Sequence, residues 1–357
     1  MPISTSSYIV FVGAVYIDTI LSVPHFPAED EKLRAHKQTR RRGGNCANSL
    51  QVLEQLIEWD PFRPKDNEGR RAAIEGTFGR LHLLAVLPDF KSQDVKFIRE
   101  SLPGTSFVPC SIFRSNMQHA ASSYIIQNES KGTRTIVSYN GLPEMTFKEF
   151  DEQISRFNAL SLDLVTKTWY HFEGRNSDTL LQCVKHIRNN DTHCQFSVEL
   201  EKPDRVGLIE VASLADVVFY SKLWAEGHGF EGPRPFLEAQ VGNVRSGALL
   251  ICTWGAEGAT ALQTGMTKGA GELWESSEAW QPPSSQEGDI SSNQDSVIDP
   301  VGAGDSFIAG ILFCILHRQT WSLRRKIAFA SELAGRKVFQ NGFDNLGEQI
   351  FSILKKK

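Results

Sequence analysis

The sequence predicts an α/β fold in which a mostly parallel central sheet carries helices on both faces. From Trp169 onward, short apolar strands alternate with helical stretches, and this alternation is typical of parallel sheets. The chain has 357 residues, 41% of them hydrophobic and 22% charged, so it can bury the core of one large α/β domain or of two smaller ones. The strand segments of this half are Trp169–Phe172, Gln195–Val198, Val217–Tyr220 and Ala248–Thr253.

The first half of the chain supplies more strands and one helix. Tyr8–Gly13 is a β-rich apolar run that ends in glycine, as buried strands of parallel sheets do. A strand pattern resumes at Thr19–Val23, after Asp18. Gly43-Gly44-Asn45 then opens a segment whose apolar residues recur at helical spacing. Leu81–Leu87 predicts another buried strand.

A hairpin and a terminal helix pair complete the predicted elements. Residues alternate between polar and apolar on both sides of the polar run Asn128–Gly132, so Ala121–Tyr139 predicts a hairpin. Two strongly apolar stretches near the end predict helices over Gly304–His317 and Ser322–Phe339.

Composition and charge exclude several classes of protein. The formal net charge of −4 argues against a general nucleic-acid binder, because phosphate backbones recruit basic surfaces. The one basic run, Arg40-Arg41-Arg42, predicts a solvated strand edge. No apolar run approaches the roughly 20 residues that span a bilayer, and no secretory signal pattern follows Met1. Scattered cysteines without zinc spacing fit a reducing compartment. We therefore expect a cytoplasmic protein with no membrane or nucleic-acid partner.

The strongest chemical signal is the segment Asp299–Phe307, in which two glycines precede a helix. Glycine lets the backbone approach a ligand closely, and a helix N-terminus presents free N–H groups to an anion. This arrangement suits a phosphate or a phosphoryl group in transfer. Asp305 lies in the first helical turn, where it can accept a proton from an attacking hydroxyl. Taken alone, the segment fits equally well a glycine-rich loop whose aspartate stabilises a helix start.

Two motifs, in this order, resemble those of the ribokinase-like (pfkB) carbohydrate kinases. Gly43–Asn48 resembles the family's Gly-Gly-Asn-x-x-Asn sugar site, and Asp299–Phe307 resembles its C-terminal signature. The ketohexokinase (fructokinase) branch is the most similar, through collinear segments over roughly residues 8–345. The resemblance implies one ribokinase-like kinase domain over residues 1–357, with a three-layer fold and a small β-sheet lid from about residues 16–42 and 120–140. The further matching segments are Lys131–Val137, Phe172–Asn176, Val198–Pro203, Phe219–Lys222, Cys252–Ala259 and Asn341–Asp344.

For the sugar and the reacting groups, the resemblance implies specific residues. Asp305 would be the base, and carboxylates and amides suit a sugar because hydroxyls need both donors and acceptors. Asp30 would reach the sugar from the neighbouring subunit of a homodimer joined through the lids. The catalytic residues are Gly302, Ala303, Gly304 and Asp305, and the sugar-binding residues are Asp18, Asp30, Gly44, Asn45, Asn48 and Asp305.

For the phosphoryl donor, the resemblance implies ATP with Mg²⁺ as the bridging ion. Arg134 would meet the phosphates, because its planar cationic fork matches pairs of oxygens. The nucleotide-binding residues are Arg134, Gly255, Ala256, Glu257, Gly258, Gly302, Ala303 and Gly304. Taken singly, Asp18 fits a turn residue at a strand end, Asn45 a helix cap and Arg134 a solvated hairpin charge.

The sequence departs from the family pattern at several places. Ser221–Trp224 stands where the family often has Asn-x-x-Glu, so the magnesium ligands are unassigned. Pro300 replaces a threonine, which leaves open the loop shape and a monovalent-cation site beside it. The polar segments 60–76 and 282–296 predict surface loops inserted relative to the ketohexokinase branch. Two roles fit one further group of residues equally well, a structural charge network and a contact with magnesium. The group consists of Glu173, Arg175, Glu199 and Glu201.

The function that the resemblance implies is ATP-dependent phosphorylation of a sugar primary hydroxyl, with fructose to fructose 1-phosphate as the leading case. One alternative is a kinase of the same fold that acts on another sugar, a sugar phosphate or a nucleoside. Another is a catalytically weak regulatory protein that senses a sugar.

Overall fold

The computed structural model describes residues 7–62, 81–131, 133–160, 167–190, 194–266, 271–282 and 297–354, which form fourteen strands and ten α-helices. The strands are β1 (Ser7–Val12), β2 (Tyr16–Val23), β3 (Lys37–Gly43), β4 (Leu81–Leu84), β5 (Val86–Pro88), β6 (Ile112–Arg114), β7 (Ala121–Asn128), β8 (Thr133–Tyr139), β9 (Lys167–Glu173), β10 (Gln195–Leu200), β11 (Val217–Tyr220), β12 (Leu249–Thr253), β13 (Ala259–Gln263) and β14 (Leu273–Ser276). The helices are α1 (Asn45–Trp59), α2 (Gln93–Glu100), α3 (Phe147–Leu160), α4 (Ser177–Asn190), α5 (Leu208–Leu214), α6 (Lys222–Gly227), α7 (Pro233–Gln240), α8 (Ala303–His317), α9 (Leu323–Val338) and α10 (Leu346–Leu354).

The central sheet has eight strands in the order β14-β13-β12-β11-β10-β9-β1-β4. The pairs from β4 through β12 are parallel, and β13 and β14 add antiparallel pairs at one edge. A parallel sheet must be covered on both faces, because its connections place helices there. The predicted α/β class and mostly parallel sheet are therefore confirmed.

Two hydrophobic cores lie on opposite faces of this sheet. Successive strand residues point to opposite faces, so in β1 Ile9 and Phe11 join one core while Val10 and Val12 join the other. The first core packs the sheet against α1, α2, α8, α9 and α10, and the second packs it against α3 to α7.

A separate small sheet has four strands in the order β3-β2-β7-β8. The pair β7–β8 is antiparallel, which confirms the predicted hairpin, and β2 runs parallel to β7. Asp18 pairs with Ser123 in the middle of β2, so the interpretation of Asp18 as a strand-end turn residue is wrong. We call the strands β2, β3, β7 and β8 the small sheet.

Other predicted boundaries need small corrections. The strand predicted over Leu81–Leu87 is two strands, because β4 pairs with β1 of the central sheet whereas β5 pairs with β6. The two C-terminal helices are present as α8 and α9. Most of the predicted loops at 60–76 and 282–296 lies outside the described residues. Over the residues described, no helix is both long and apolar enough to cross a membrane.

Candidate active site

A cleft of about 530 Å³ separates the small sheet from the carboxyl ends of the central strands. Ligands of open α/β sheets bind outside the carboxyl ends of the strands, because the loops and helix N-termini that can contact them gather there. Both sheets contribute to its wall, together with the first turns of α1 and α8. Of the residues predicted to bind sugar or phosphate, this cleft gathers Asp18, Gly44, Asn45, Asn48, Arg134, Gly302, Gly304 and Asp305.

One face of the small sheet points into this cleft. The strand register aligns Asp18 of β2 with Ser123 of β7 and Ser138 of β8, and all three side chains lie on one face. Arg134 lies on the same face of β8, two residues from Ile136. Within the part of the chain that the structure describes, its guanidinium has no hydrogen-bond or ion-pair partner.

The turn from β3 into α1 requires glycine twice. Gly44 has φ of 102°, and a Cβ there would lie 2.2 Å from the carbonyl oxygen of Ala14. A Cβ on Gly43 would lie 2.6 Å from the carboxylate oxygens of Asp18. The Gly-Gly pair thus lets the start of α1 approach both the end of β1 and the small sheet. Gly44, not Asn45, is the N-cap of α1, so the helix-cap interpretation of Asn45 is wrong.

Asp305 is buried at the start of α8 and is held by a chain of side chains from the opposite wall. The Asn48 amide nitrogen donates to Asp305 Oδ2 at 2.7 Å. The Arg42 guanidinium donates to Asn48 Oδ1 at 2.6 Å, which fixes the orientation of that amide. Arg42 is itself buried, and burial lowers its pKa to about 10, so it stays charged at neutral pH. Asn48 therefore presents a donor to Asp305 and not an acceptor.

The environment of Asp305 suits a proton acceptor at neutral pH. Burial raises the pKa of its carboxyl to about 7, and the bond from Asn48 only partly opposes this. The negative charges of Glu201 and Glu173 raise it further. A base works best when its pKa lies near the working pH. Burial also raises the pKa of Asp18, against the opposing charge of Arg41.

The turn before α8 has the geometry of an anion site. Gly302 is the N-cap with φ of 83°, and a Cβ there would lie 2.2 Å from the Phe343 ring. The amides of Ala303, Gly304 and Asp305 lie in the first helical turn, where N–H groups lack acceptors four residues back in the helix. Gly304 lines the cleft, and a Cβ there would meet no atom within 4 Å. The Ala303 amide donates to the Pro300 carbonyl at 3.4 Å, so the helix offers the Gly304 and Asp305 amides and its positive dipole end to the cleft.

Asp299 anchors this turn, and two cations hold it. Arg41 Nη1 donates to Asp299 Oδ2 at 2.8 Å, and Lys337 Nζ donates to the same oxygen at 3.1 Å. Burial alone would raise the pKa of Asp299, but these two charges outweigh it and leave the pKa lowered. Asp299 Oδ1 accepts from the Val301 amide at 3.1 Å across Pro300, so the loop stays closed despite the proline. Beside this loop, the Lys337 ammonium contacts the carbonyl oxygens of Asp299 and Gln340 as well, and a monovalent-cation site here stays a prediction.

A group of glutamates lies on the floor of the cleft. The Asn45 amide nitrogen donates to Glu199 at 3.1 Å and to Glu201 at 3.3 Å. Burial, with the charges of Asp305 and Glu201, raises the pKa of Glu199 well above its usual value. Glu173 instead accepts from the Ala14 amide at 2.9 Å and pairs with Arg175 at 3.7 Å. Glu173 and Arg175 therefore form the ion pair that the charge-network interpretation predicts, and all four residues line the cleft, so a magnesium-linked role stays a prediction.

Two sets of predicted residues lie elsewhere. Asp30 is exposed in the connection between β2 and β3, away from the cleft of its own chain. Gly255, Ala256, Glu257 and Gly258 form a turn after β12 that the cleft lining does not include, although Thr253 of β12 does line it. Ala303 belongs to the first turn of α8 between the lining residues Gly302 and Gly304.

Several residues at the site were not predicted. The basic run was expected to be solvated, but Arg42 is buried and Arg41 contacts both Asp18 and Asp299. Their position just before the Gly-Gly turn is the signal that points to the site. Lys202 and Arg205, which follow β10, add positive charge to the cleft wall. Nothing in the local sequence around Lys337 indicates its contact with Asp299.

Comparison with known proteins identifies relatives over almost the whole chain. A model of the pfkB family of carbohydrate kinases matches residues 6–349. Ketohexokinase from Mus musculus is 31% identical over 346 residues, which cover 95% of this chain and 98% of that protein.

Solved structures share the fold at much lower sequence identity. Ribokinase from Giardia lamblia superposes with a TM-score of 0.69 at 17% identity, covering 98% of this chain and 99% of that one. Ribokinase from Thermotoga maritima gives 0.66 at 16% identity, with the same two coverages. Arabidopsis thaliana ribokinase, solved with ribose and ATP, gives 0.65 at 14% identity, covering 98% and 99%. These matches confirm the ribokinase-like fold predicted from the sequence.

Proposed function

Because the chain belongs to the pfkB family of carbohydrate kinases, we propose that it transfers the γ-phosphoryl group of ATP to a primary hydroxyl of fructose, forming fructose 1-phosphate. The relative named ketohexokinase supports the ketose as acceptor. The Arabidopsis ribokinase solved with ribose and ATP supports ATP as donor.

The observation that carries this proposal is the position of Asp305 between a sugar-type wall and an anion-type turn. On one side, Asp18, Asn45 and Asn48 offer the mixed donors and acceptors that sugar hydroxyls need. On the other side, Gly302 and Gly304 open the first turn of α8 to an anion. A hydroxyl bound against Asp305 would therefore face a phosphoryl group held by the turn.

The reaction that follows is a direct transfer. Asp305 accepts the proton of the attacking hydroxyl, and its pKa of about 7 makes the carboxylate available at neutral pH. The free amides of the α8 turn stabilise the charge on the phosphoryl oxygens. Arg134 lines the cleft from the small sheet, where its guanidinium would add positive charge beside the phosphates. Thr253 lines the cleft just before the turn Gly255–Gly258, so these residues would hold the rest of the nucleotide.

Magnesium would be carried mainly by the phosphates. Among the described residues, no group of three or more His, Cys, Asp or Glu side chains is arranged to hold a metal ion. Mg²⁺ commonly keeps several waters and binds through substrate phosphates, so the cleft-facing carboxylates Glu199 and Glu201 suit contact with those waters. When bound, the ion would neutralise negative charge on the phosphates.

A substrate panel tests the proposal. ADP release with Mg²⁺-ATP should be fastest with fructose among ketohexoses, aldoses, sugar phosphates and nucleosides, and NMR should locate the phosphate on C1. A preference for another acceptor would replace fructose within the same reaction. Sugar binding by calorimetry without turnover on any acceptor would instead support a sugar sensor and overturn the enzymatic assignment.

A further inference from the structure

We propose that Lys337 is a positioning residue for phosphoryl transfer, because its ammonium holds both supports of the anion-binding turn, Asp299 and Phe343. This inference rests on the proposed kinase function and concerns how the turn that faces the phosphate keeps its shape.

Lys337 is completely buried on α9, which is unusual for a lysine. Its Nζ donates to the Asp299 carbonyl at 2.9 Å, to Asp299 Oδ2 at 3.1 Å and to the Gln340 carbonyl at 3.5 Å. All three ammonium protons thus have acceptors. A buried ion pair is a poor source of stability, because desolvation of the charges offsets their attraction. A charge kept at this depth therefore calls for an explanation beyond stability.

The first support runs through the Asp299 carboxylate. One of its oxygens receives Lys337, while the other accepts from the Val301 amide at 3.1 Å. The residue between them is Pro300, whose ring fixes φ. The position of the carboxylate is thereby transmitted to the backbone immediately before Gly302.

The second support is the aromatic ring of Phe343. Lys337 Nζ lies 5.1 Å from the centroid of this ring, within the range of a cation–π contact. The same ring lies so close to Gly302 that a Cβ there would be 2.2 Å from its Cζ. The ammonium therefore contacts both groups that support the turn. Asp299 supports it just before Val301, and Phe343 supports it just after, at Gly302.

The turn also has a tie to the small sheet. Arg41 of β3 pairs with the same Asp299 oxygen at 2.8 Å and lies 3.6 Å from Asp18. Lys337 thus holds Asp299 from the core, and Arg41 holds it from the sugar side. Donors that stabilise developing charge act only where they are aimed accurately, so loss of the core tie should reduce turnover more than sugar affinity.

The test removes the ammonium and then returns it. In Lys337→Ala, n-propylammonium has the carbon count and charge of the missing side chain, and 1-propanol is its neutral counterpart. We expect kcat to fall about 10- to 100-fold, less than the roughly 10²–10³-fold for a lost oxyanion donor because Lys337 acts through Asp299, with the sugar KM within about twofold. Propylammonium should restore kcat about tenfold, while 1-propanol should not, because the charge and not the volume holds Asp299.

Matched variants keep the outcomes distinct. Arg336→Ala removes a neighbouring cation of α9 that pairs with Glu332, and it should keep wild-type kcat. Lys337→Met keeps the buried volume, and it should fold cooperatively yet show the same loss of kcat. The positioning role is overturned by wild-type kcat in both Lys337 variants, by equal rescue with 1-propanol, by a loss that propylammonium does not restore, or by failure of both variants to fold. A wild-type protein without turnover on any acceptor would instead remove the proposed function itself.

Discussion

The two walls of the cleft differ in how firmly the chain itself holds them. On the α8 side, Asp305 is buried and bonded to Asn48, which Arg42 orients in turn. On the small-sheet side, every residue of β8 is exposed, and among the described residues the Arg134 guanidinium has no partner. The difference teaches that the α8 wall is set by intramolecular contacts, including one from Arg42 of β3, whereas β8 depends on what enters the cleft or covers the sheet.

The largest effect should follow from removing the proposed base, Asp305, on the α8 wall. Asp305→Asn keeps the size of the side chain and removes the proton acceptor, so kcat should fall by at least about 10²–10⁴-fold. Nucleotide affinity, measured by calorimetry, should be largely kept because the turn amides are unchanged. Asp204→Asn, at an exposed aspartate, is the control. Near-normal turnover of Asp305→Asn would show that another group accepts the proton.

The same carboxyl predicts how stability of the ligand-free protein depends on pH. Burial raises the pKa of Asp305 from 3.8 to about 7, so the folded state binds the proton more tightly than the unfolded state. The stability that this group contributes is then present below about pH 4 and is lost as the pH rises through about 7. Urea unfolding should show Asp305→Asn gaining about 1–4 kcal/mol over the wild type between pH 5 and pH 8, at about 1.4 kcal/mol per pKa unit. If the difference in unfolding free energy between the two proteins did not change with pH, the Asp305 carboxyl would be solvated in the folded state.

Much of the fixed wall could be predicted because its geometry is local in sequence. Gly44 and Gly302 occupy backbone conformations that favour glycine, and Asp305 follows Gly302 within one helical turn. The ties between these segments could not be predicted, because Asn48 and Asp305 are 257 positions apart. The same holds for Lys337, whose partner Asp299 lies 38 positions away in the loop before α8.

Alanine substitutions at the two glycines of the turn should affect stability and turnover differently. Gly302→Ala places a side chain at φ of 83° against Phe343, so the free energy of unfolding should fall by at least about 1–2 kcal/mol. Gly304→Ala meets no atom within 4 Å, and stability should be unchanged or rise by up to about 1 kcal/mol. Turnover should nevertheless fall, because the new methyl group occupies the cleft. Denaturant unfolding and kcat, measured on both variants, decide this, and equal stability losses would contradict the geometry of the turn.

On the small sheet, the expected effects are smaller. Arg134→Ala should lower kcat about tenfold or more, because charge on the transferring group loses a partner. Arg134→Lys keeps the charge but not the planar fork, so its loss should be smaller. Sugar affinity without nucleotide should match the wild type for both, and Lys131→Ala, at an exposed cation of the adjoining turn, is the control. Normal kinetics in both variants would show that Arg134 is a solvated charge with no role in phosphoryl transfer.

The sequence predicts the strands of the small sheet but not what covers them. Alternation in β7 and β8 indicates a hairpin, yet the burial of a strand face depends on surfaces distant in sequence or on another chain. For the same reason Asp30 was assigned to the sugar site only by resemblance, and its position outside the cleft of its own chain requires a second subunit for that role.

The smallest effect on the fold, and the sharpest on assembly, should come from the outer face of the small sheet. Tyr124 and Val137 are cross-strand neighbours on the face away from the cleft, 53% and 59% exposed. Exposed apolar residues on a sheet mark an association surface, and we propose a homodimer whose small sheets cover each other and bring Asp30 to the partner's site.

Replacing both Tyr124 and Val137 with Lys should give monomers in sedimentation velocity, with unfolding free energy changed by less than about 0.5–1 kcal/mol. Ile209→Lys, at an exposed apolar residue of α5, should remain dimeric. The monomeric variant should lose sugar affinity to the same extent as Asp30→Asn, since both remove one carboxylate from the site. A wild-type protein that sediments as a monomer and turns over at full rate would show that the site is complete within one chain.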